Sequence, residues 1–273
     1  MFPRESAAML TRRRDWDAAV YHRVSAPQFE WGQRVLERLE LQGDERVLDA
    51  GCGTGRLTAL LHARLPRGEV VAMDRSRDMT ARASEHLPHE VEVVQADLLA
   101  LPFAELFDVV FSTATFHWVL DPAALYRSVF QVLVPGGRLH AQCGGLGNLA
   151  QLNARVHALM LDPRCAARFT DWREPWLFLG AEPAAALLRE AGFSSVQTRL
   201  RAAPARFESR ESYREFVQVV VLADYLARIE GVQERDAFVD TLVDAAGRDD
   251  PPFVLDYVRL ELEAVRPEKG MHG

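Results

Sequence analysis

The residues with the clearest chemical meaning lie in "RVLDAGCGTGRLTALL", residues 46 to 61. An apolar run ends at Asp49 and Ala50, and Gly51, Gly53 and Gly55 follow at every second position before a helical pattern begins. Glycines at a strand-to-helix turn let the backbone adopt positive φ and let a ligand lie against main-chain N–H groups. A tight turn packed against a sheet is expected to need one glycine rather than three. The dinucleotide fingerprint is G-x-G-x-x-G, with the last glycine beside a pyrophosphate. Here the spacing is G-x-G-x-G, and Arg56 stands where that last glycine would be needed. Asp49 also puts a carboxylate where a pyrophosphate would sit, a charge that repels phosphate and suits an α-ammonium or a sulfonium. The turn therefore suits a nucleoside that carries an amino acid better than NAD.

Such a loop needs a sheet to hold it. Strand-like segments at "RVLDAG", "EVVAMDRS", "VEVVQAD", "LFDVVFSTA" and "RLHAQCGG" alternate with helical patterns at "TGRLTALLHARL", "RDMTARASEHL" and "PAALYRSVFQVLV", the last stopped by "PGG". That rhythm predicts an α/β chain with a Rossmann-like, doubly wound parallel sheet. An amphipathic helix over 28–42 precedes it, with Trp31, Val35, Leu36 and Leu39 on one stripe. Beyond residue 145 the rhythm changes. A sixth strand is expected at "SSVQTRLRAAP" and a last one, antiparallel beside it, in "YVRLELEAV", which makes seven strands. Helices over 209–229 and 234–247 fall between these two. The expected organisation is a lid arm (1–30), a ligand-binding core (31–145), a cap insertion (146–182) and more core (183–204). A helical cap insertion (205–250), a last core strand (251–266) and a tail (267–273) complete it.

Composition narrows the class. The chain of 273 residues carries a net charge of −7, which disfavours nucleic acid and anionic membrane as partners. The basic run "TRRRDW" reads as a solvated arm. Cys52, Cys143 and Cys165 show no metal-ligand spacing, and their odd number argues for a reducing compartment. No stretch approaches ~18 uninterrupted apolar residues, and the N-terminus has no apolar core of a signal peptide. A cytoplasmic protein without a metal is expected, as a monomer or a homodimer.

"VLDAGCGTG" resembles motif I of the class I S-adenosylmethionine-dependent methyltransferases, and "VVAMDRSRDM", "VQADLLALPF", "FDVVFSTATFHWV" and "LVPGGRL" extend the likeness over roughly residues 30 to 145. The resemblance implies S-adenosyl-L-methionine as cofactor. It places Asp49, Ala50, Gly51, Gly53 and Gly55 around the methionine part and Asp74, with Arg75, at the ribose. A short carboxylate at a strand end accepts two bonds from a diol. Met79 would pack on the adenine, Asp97 with Ala96 would take its amino group, and Leu98 would cover the ring. Thr113, or Ser112, would line the transfer site. The bland alternative is that Asp74 and Asp97 merely cap the following helices and that Met79 is core.

Within that superfamily the chain is similar to the trans-aconitate 2-methyltransferase group, through "WDAAVYHRVSAPQFEWG", "FHWVLDP", "REPW" and "LLREAGF", and less closely to juvenile hormone acid methyltransferases. A small-molecule acceptor, most simply a carboxylate, follows from that likeness. The "FHW" stands where the trans-aconitate enzymes show a Gln before the Trp. A carboxylate nucleophile needs no general base, whereas a hydroxyl or amine would, and His117 is the candidate. The preferred reading of His117 is a wall of an aromatic box beside Trp118, with its ring hydrogen-bonded to backbone. Tyr21 and Gln28 are expected to touch the cofactor from the lid, and Trp16 to dock it. Trp172, Trp176 and Phe178 suggest an apolar wall over the pocket, and Arg164, Arg168 and Arg173 could pair an acceptor carboxylate. A quinone- or biotin-pathway acceptor shares the same core motifs, and a catalytically silent cofactor-binding module would keep the loop but fill the acceptor pocket.

Overall fold

The computed structural model describes residues 18–104 and 106–268. Strands β1 (Arg46–Ala50), β2 (Glu69–Asp74), β3 (Glu92–Gln95), β4 (Phe107–Thr113), β5 (Leu133–Gly144) and β6 (Ser194–Ala202) belong to the main sheet. Strands β7 (Ala205–Arg206) and β8 (Val254–Leu255) form a small ribbon, and β9 (Val258–Val265) returns to the main sheet. The order is β3-β2-β1-β4-β5-β9-β6, parallel from β3 to β5, with β9 antiparallel to both of its neighbours. The seven-stranded, Rossmann-like sheet with one antiparallel strand is thus present. Its strand order reverses between β1 and β4, where ligands of such sheets bind.

Helices α1 (Ala18–Val24) and α2 (Ala26–Arg38) precede the sheet. The helices α3 (Arg56–Ala63), α4 (Arg77–His86) and α5 (Pro122–Val132) connect its parallel strands. Beyond β5 lie α6 (Ala150–Met160), α7 (Ala181–Glu190), α8 (Arg210–Phe216), α9 (Ala223–Leu226) and α10 (Val232–Ala246). Parallel strands covered on both sides need apolar side chains on both faces. Val47 and Val109 accordingly pack with Val35, Leu36 and Leu61 of α2 and α3. Leu48 and Val110 pack with Leu125, Val129 and Leu188 of α5 and α7 on the other face. A third cluster joins Trp31 of α2 to Leu152, Phe216, Val239 and Tyr257, which ties the later helices to the edge of the first face.

Two elements differ from expectation for local reasons. The helix expected over 209–229 breaks into α8, a π-helical turn over Val217–Val221, and α9. Four valines in that turn crowd one another in a regular helix, and a wider turn relieves this. The "PGG" after α5 does not separate helix from strand. The chain enters β5 at Leu133 and skips from the Phe107–Leu133 pair to Val109–Arg138, with Gly136 at φ +80° inside the bulge.

Candidate active site

The glycine turn closes at the C-terminal end of β1. The N–H groups of Gly51 and Cys52 both donate to the carbonyl of Met73, at 2.7 and 2.9 Å, which hooks the turn onto β2. Gly51, Gly53 and Gly55 have φ of +91°, +55° and +83°. The expectation that the turn alone needs one glycine is therefore corrected, because each of the three occupies the left-handed region that side chains avoid. Their surroundings separate them. A Cβ on Gly51 would lie 2.2 Å from Thr115 Oγ1, whereas nothing stands within 4 Å of the same atom on Gly53. Gly53 is the glycine that opens onto free space. Gly55 starts α3 with no side-chain cap, so the first N–H groups of that helix have no side-chain acceptor at the cap.

Two carboxylates lie at the strand ends around this turn, Asp49 on β1 and Asp74 on β2. Asp49 is 2 % exposed and accepts a hydrogen bond from Thr58 Oγ1 at 2.7 Å. Burial pushes its pKa up to about 7, against the Thr58 bond and with help from the charge of Asp74. Burial, then the charges of Asp49 and Asp74, also push the Cys52 thiol well up, so the loop sits in a negative field. Asp74 Oδ2 accepts from Gly53 N and Oδ1 from Ser76 N, each at 2.9 Å. These bonds leave further lone pairs on the same oxygens. Arg75 follows it in the turn, and Ser76 caps α4 by accepting from Met79 N. Asp97 does make the bond of a turn, with Oδ1 taking Leu99 N at 2.9 Å. Met79 and Leu98 are buried, Ala96 N donates to Asp74 O at 3.1 Å, and Ser112 Oγ donates to Ala50 O at 2.6 Å. Thr113 is half-buried at the end of β4. A diol, an ammonium and a sulfonium fit this set of carboxylate acceptors better than a pyrophosphate does.

Helix α1 lies over the turn. His22 Nδ1 meets Thr54 Oγ1 at 3.0 Å, and Arg56 reaches back to His22 O at 3.4 Å while its guanidinium stacks 3.9 Å from the Phe29 ring centre. Tyr21 feels the charges of Arg259, Asp74 and Arg56, and burial lifts its phenol to about 12. Gln28 is buried, with Oε1 lacking a hydrogen-bond partner, and its side chain bonds Tyr257. Trp16 lies outside the described residues.

In the short turn after β4, His117 accepts a hydrogen bond at Nδ1 from Gly144 N at 3.3 Å. Burial first, then Arg259, holds its pKa well below the usual imidazole range. A neutral ring whose Nδ1 lone pair is engaged suits a wall better than a base. Its ring centre lies 5.1 Å from Trp118 and 5.7 Å from Phe178. Trp176 extends the wall, 5.5 Å from Trp118 and 5.7 Å from Phe178, and Trp172 stacks on Tyr225 at 4.4 Å.

The expected arginines are elsewhere. Arg164, with its side chain 86 % exposed, pairs with Asp162. Arg168 pairs with Glu234 at 2.6 Å, and Arg173 is exposed. Their segment "DPRCAARFTDWREP" turns its basic residues to solvent and its rings inward, so these three are corrected to surface residues. The buried cation is Arg259 on β9, 2 % exposed. An arginine in "YVRLELEAV" reads as an outward residue of an alternating strand. That face is instead covered by α2, whose Trp31 ring centre lies 4.7 Å from the Arg259 guanidinium.

With this geometry in view, likeness to known proteins is specific. Residues 48–141 match the family described as a methyltransferase domain. A methyltransferase of Schizosaccharomyces pombe is 31% identical over 186 residues, which cover 65% of this chain and 70% of that protein. A trans-aconitate 2-methyltransferase of Acidovorax ebreus is 33% identical over 177 residues, 65% of either chain, so that slightly under two thirds of its length is spanned. The solved Haemonchus contortus phosphoethanolamine N-methyltransferase 2, in complex with S-adenosyl-L-methionine, shares the fold with a TM-score of 0.61 at 16% identity. The match covers 92% of this chain and 57% of that one. The protein belongs to the methyltransferase family.

Proposed function

We propose that this protein transfers a methyl group from S-adenosyl-L-methionine to a carboxylate of a small-molecule acid. The observation that carries the reading is the carboxylate of Asp74, which takes Gly53 N at 2.9 Å beside the open face of that glycine, with the buried carboxylate of Asp49 near the end of β1 just before the turn. S-adenosyl-L-methionine, when bound, supplies a methyl on a sulfonium, open to in-line displacement. The turn from Asp49 and Ala50 through Gly51, Gly53 and Gly55 holds the methionine end, and Asp74 with Arg75 holds the ribose. Met79, Ala96, Asp97 and Leu98 take the adenine, and Thr113 lines the transfer position. Tyr21 and Gln28 close over the site from α1 and α2.

The protein's task is positioning. Alignment alone supplies ~7–11 kcal/mol, and a carboxylate attacks without a base. The engaged, neutral His117 beside Trp118 agrees with a reaction that asks for no proton removal. The relatives named for trans-aconitate favour the acid over an amine or a quinone. Calorimetric titration with S-adenosylhomocysteine and with NAD tests the cofactor assignment. Micromolar binding of the first, no binding of the second, and at least ~10-fold weaker binding in Asp74→Ala are expected, since a charged hydrogen bond is worth about 1.5–3 kcal/mol. Failure to bind S-adenosylhomocysteine overturns it. Binding without methyl transfer to any small acid points to a silent module.

A further inference from the structure

Arg259 is buried, and among the described residues it has no counter-ion. Its Nε donates to Gln142 Oε1 at 3.3 Å, its Nη2 has no hydrogen-bond partner, and it forms no ion pair with any described carboxylate. Glu261, two residues on along the same face of β9, does not serve it. That carboxylate is shared by Arg38, Arg199 and Arg201. Arg201 stands directly opposite Arg259 in the β6–β9 register, where like charges repel. The rings of Trp31 and Tyr257, at 4.7 and 6.0 Å, soften the cost of burial by cation–π contact but do not neutralise the charge. An unpaired buried charge is costly and calls for a compensating group.

Its position says what that group is. Gln142 is the register partner of Thr113, at the end of β4, and holds Arg259 from the adjacent strand. Tyr21 on α1 feels the charges of both Arg259 and Asp74. His117, in the aromatic wall, feels Arg259 as well. Through Gln142 the guanidinium is thus linked to the end of β4. Gln28 on α2 bonds Tyr257, whose ring lies 6.0 Å from the guanidinium, and leaves Oε1 unpartnered.

Building on the methyl-transfer reading, we propose that Arg259 anchors the acceptor by pairing with a carboxylate other than the one methylated. A carboxylate gripped by a guanidinium has its lone pairs turned to N–H donors and is a poorer nucleophile, so anchor and nucleophile are separate groups. Asp49 on β1 and Arg259 on β9 are three strand spacings apart, roughly 14 Å laterally at about 4.8 Å each, enough for a small acid to lie between. The preferred acceptors are di- and tricarboxylic acids, and monocarboxylic acids are poor ones.

The test uses the full chain, with Arg259→Met and Arg259→Lys as variants and crotonate, fumarate and trans-aconitate as one-, two- and three-carboxylate probes. Methyl transfer from radiolabelled S-adenosylmethionine, calorimetry with S-adenosylhomocysteine, and thermal unfolding are read together. In the wild type, fumarate and trans-aconitate raise Tm in the presence of S-adenosylhomocysteine and crotonate does not. Arg259→Met loses that shift and raises KM for the polycarboxylates on the order of 100-fold, as removal of one partner of a buried charge pair does. It keeps S-adenosylhomocysteine affinity within about 2-fold, and its ligand-free Tm rises because an unpaired charge is gone. Arg259→Lys retains part of the shift. A lower ligand-free Tm in Arg259→Met with KM unchanged makes the arginine structural and overturns the anchor. So does a wild type that binds S-adenosylhomocysteine yet shows no preference for the polycarboxylates. A wild type that fails to bind S-adenosylhomocysteine removes the methyl-transfer reading itself. A Tm rise with fumarate or trans-aconitate alone, lost in Arg259→Met, then supports the anion site independently, and absence of that rise overturns it.

Discussion

Asp49 and Asp74 lie at neighbouring strand ends with different partners. Asp74 accepts from two backbone N–H groups, whereas Asp49 accepts from one hydroxyl and is otherwise sealed in the sheet. Its folded pKa of about 7 lies above the ordinary 3.8. The group therefore adds stability below the unfolded value and loses it as pH rises through about 7. Asp49→Asn should flatten that part of the profile, measured as the difference in urea midpoint between pH 4.5 and 8. A cationic ligand reverses the preference, because it needs the carboxylate. S-adenosylhomocysteine, which retains the α-ammonium, should bind more weakly below pH 7, by at most about tenfold per pH step, with proton release in the calorimeter. Asp49→Asn should remove this dependence. A wild-type affinity that is flat from pH 5 to 8 would count against an ammonium at Asp49.

At the scale of elements, helix α1 joins an apolar contact on one side to polar contacts on the other. Ala18 is buried and Tyr21 and Val24 pack on the third cluster, while the grip of α1 on the turn is the His22–Thr54 bond and the Arg56 reach to His22 O. Helix α1 is also tied to the later helices through the Arg23–Glu215 pair. Loss of the His22 bond in His22→Ala should cost about 1 kcal/mol of closure, a roughly fivefold rise in the Kd of S-adenosylhomocysteine. The rise should appear mainly in the off-rate by stopped flow, and an unchanged off-rate would mean that α1 does not gate the site. The strand–helix alternation was legible because parallel strands buried on both sides are apolar throughout and glycines mark their ends. The clasp was not, since His22, Thr54 and Arg56 are ordinary polar residues whose meeting depends on how α1 folds back. Arg259 was hidden for a related reason. Alternation in β9 says that Arg259 and Glu261 share a face, but not that α2 covers it.

On the scale of the whole molecule, β9 is the element on which the rest depends. It fills the gap between β5 and β6, and Leu262, fully buried, faces Ala141 on one side and Thr198 on the other. Leu262→Ala leaves a cavity at that seam and should cost about 2–5 kcal/mol in urea unfolding. A loss below ~1 kcal/mol would show that the sheet does not close there as described. Among the described residues no helix is long and apolar enough to cross a membrane. The same strand carries the proposed anchor, Arg259, and the glycine turn lies some two hundred residues earlier in the chain, by the numbering. During synthesis the turn proposed to hold the nucleoside thus leaves the ribosome long before the arginine proposed to hold the acid. Both wait on one event, since the sheet closes only when β9 enters between two strands already made.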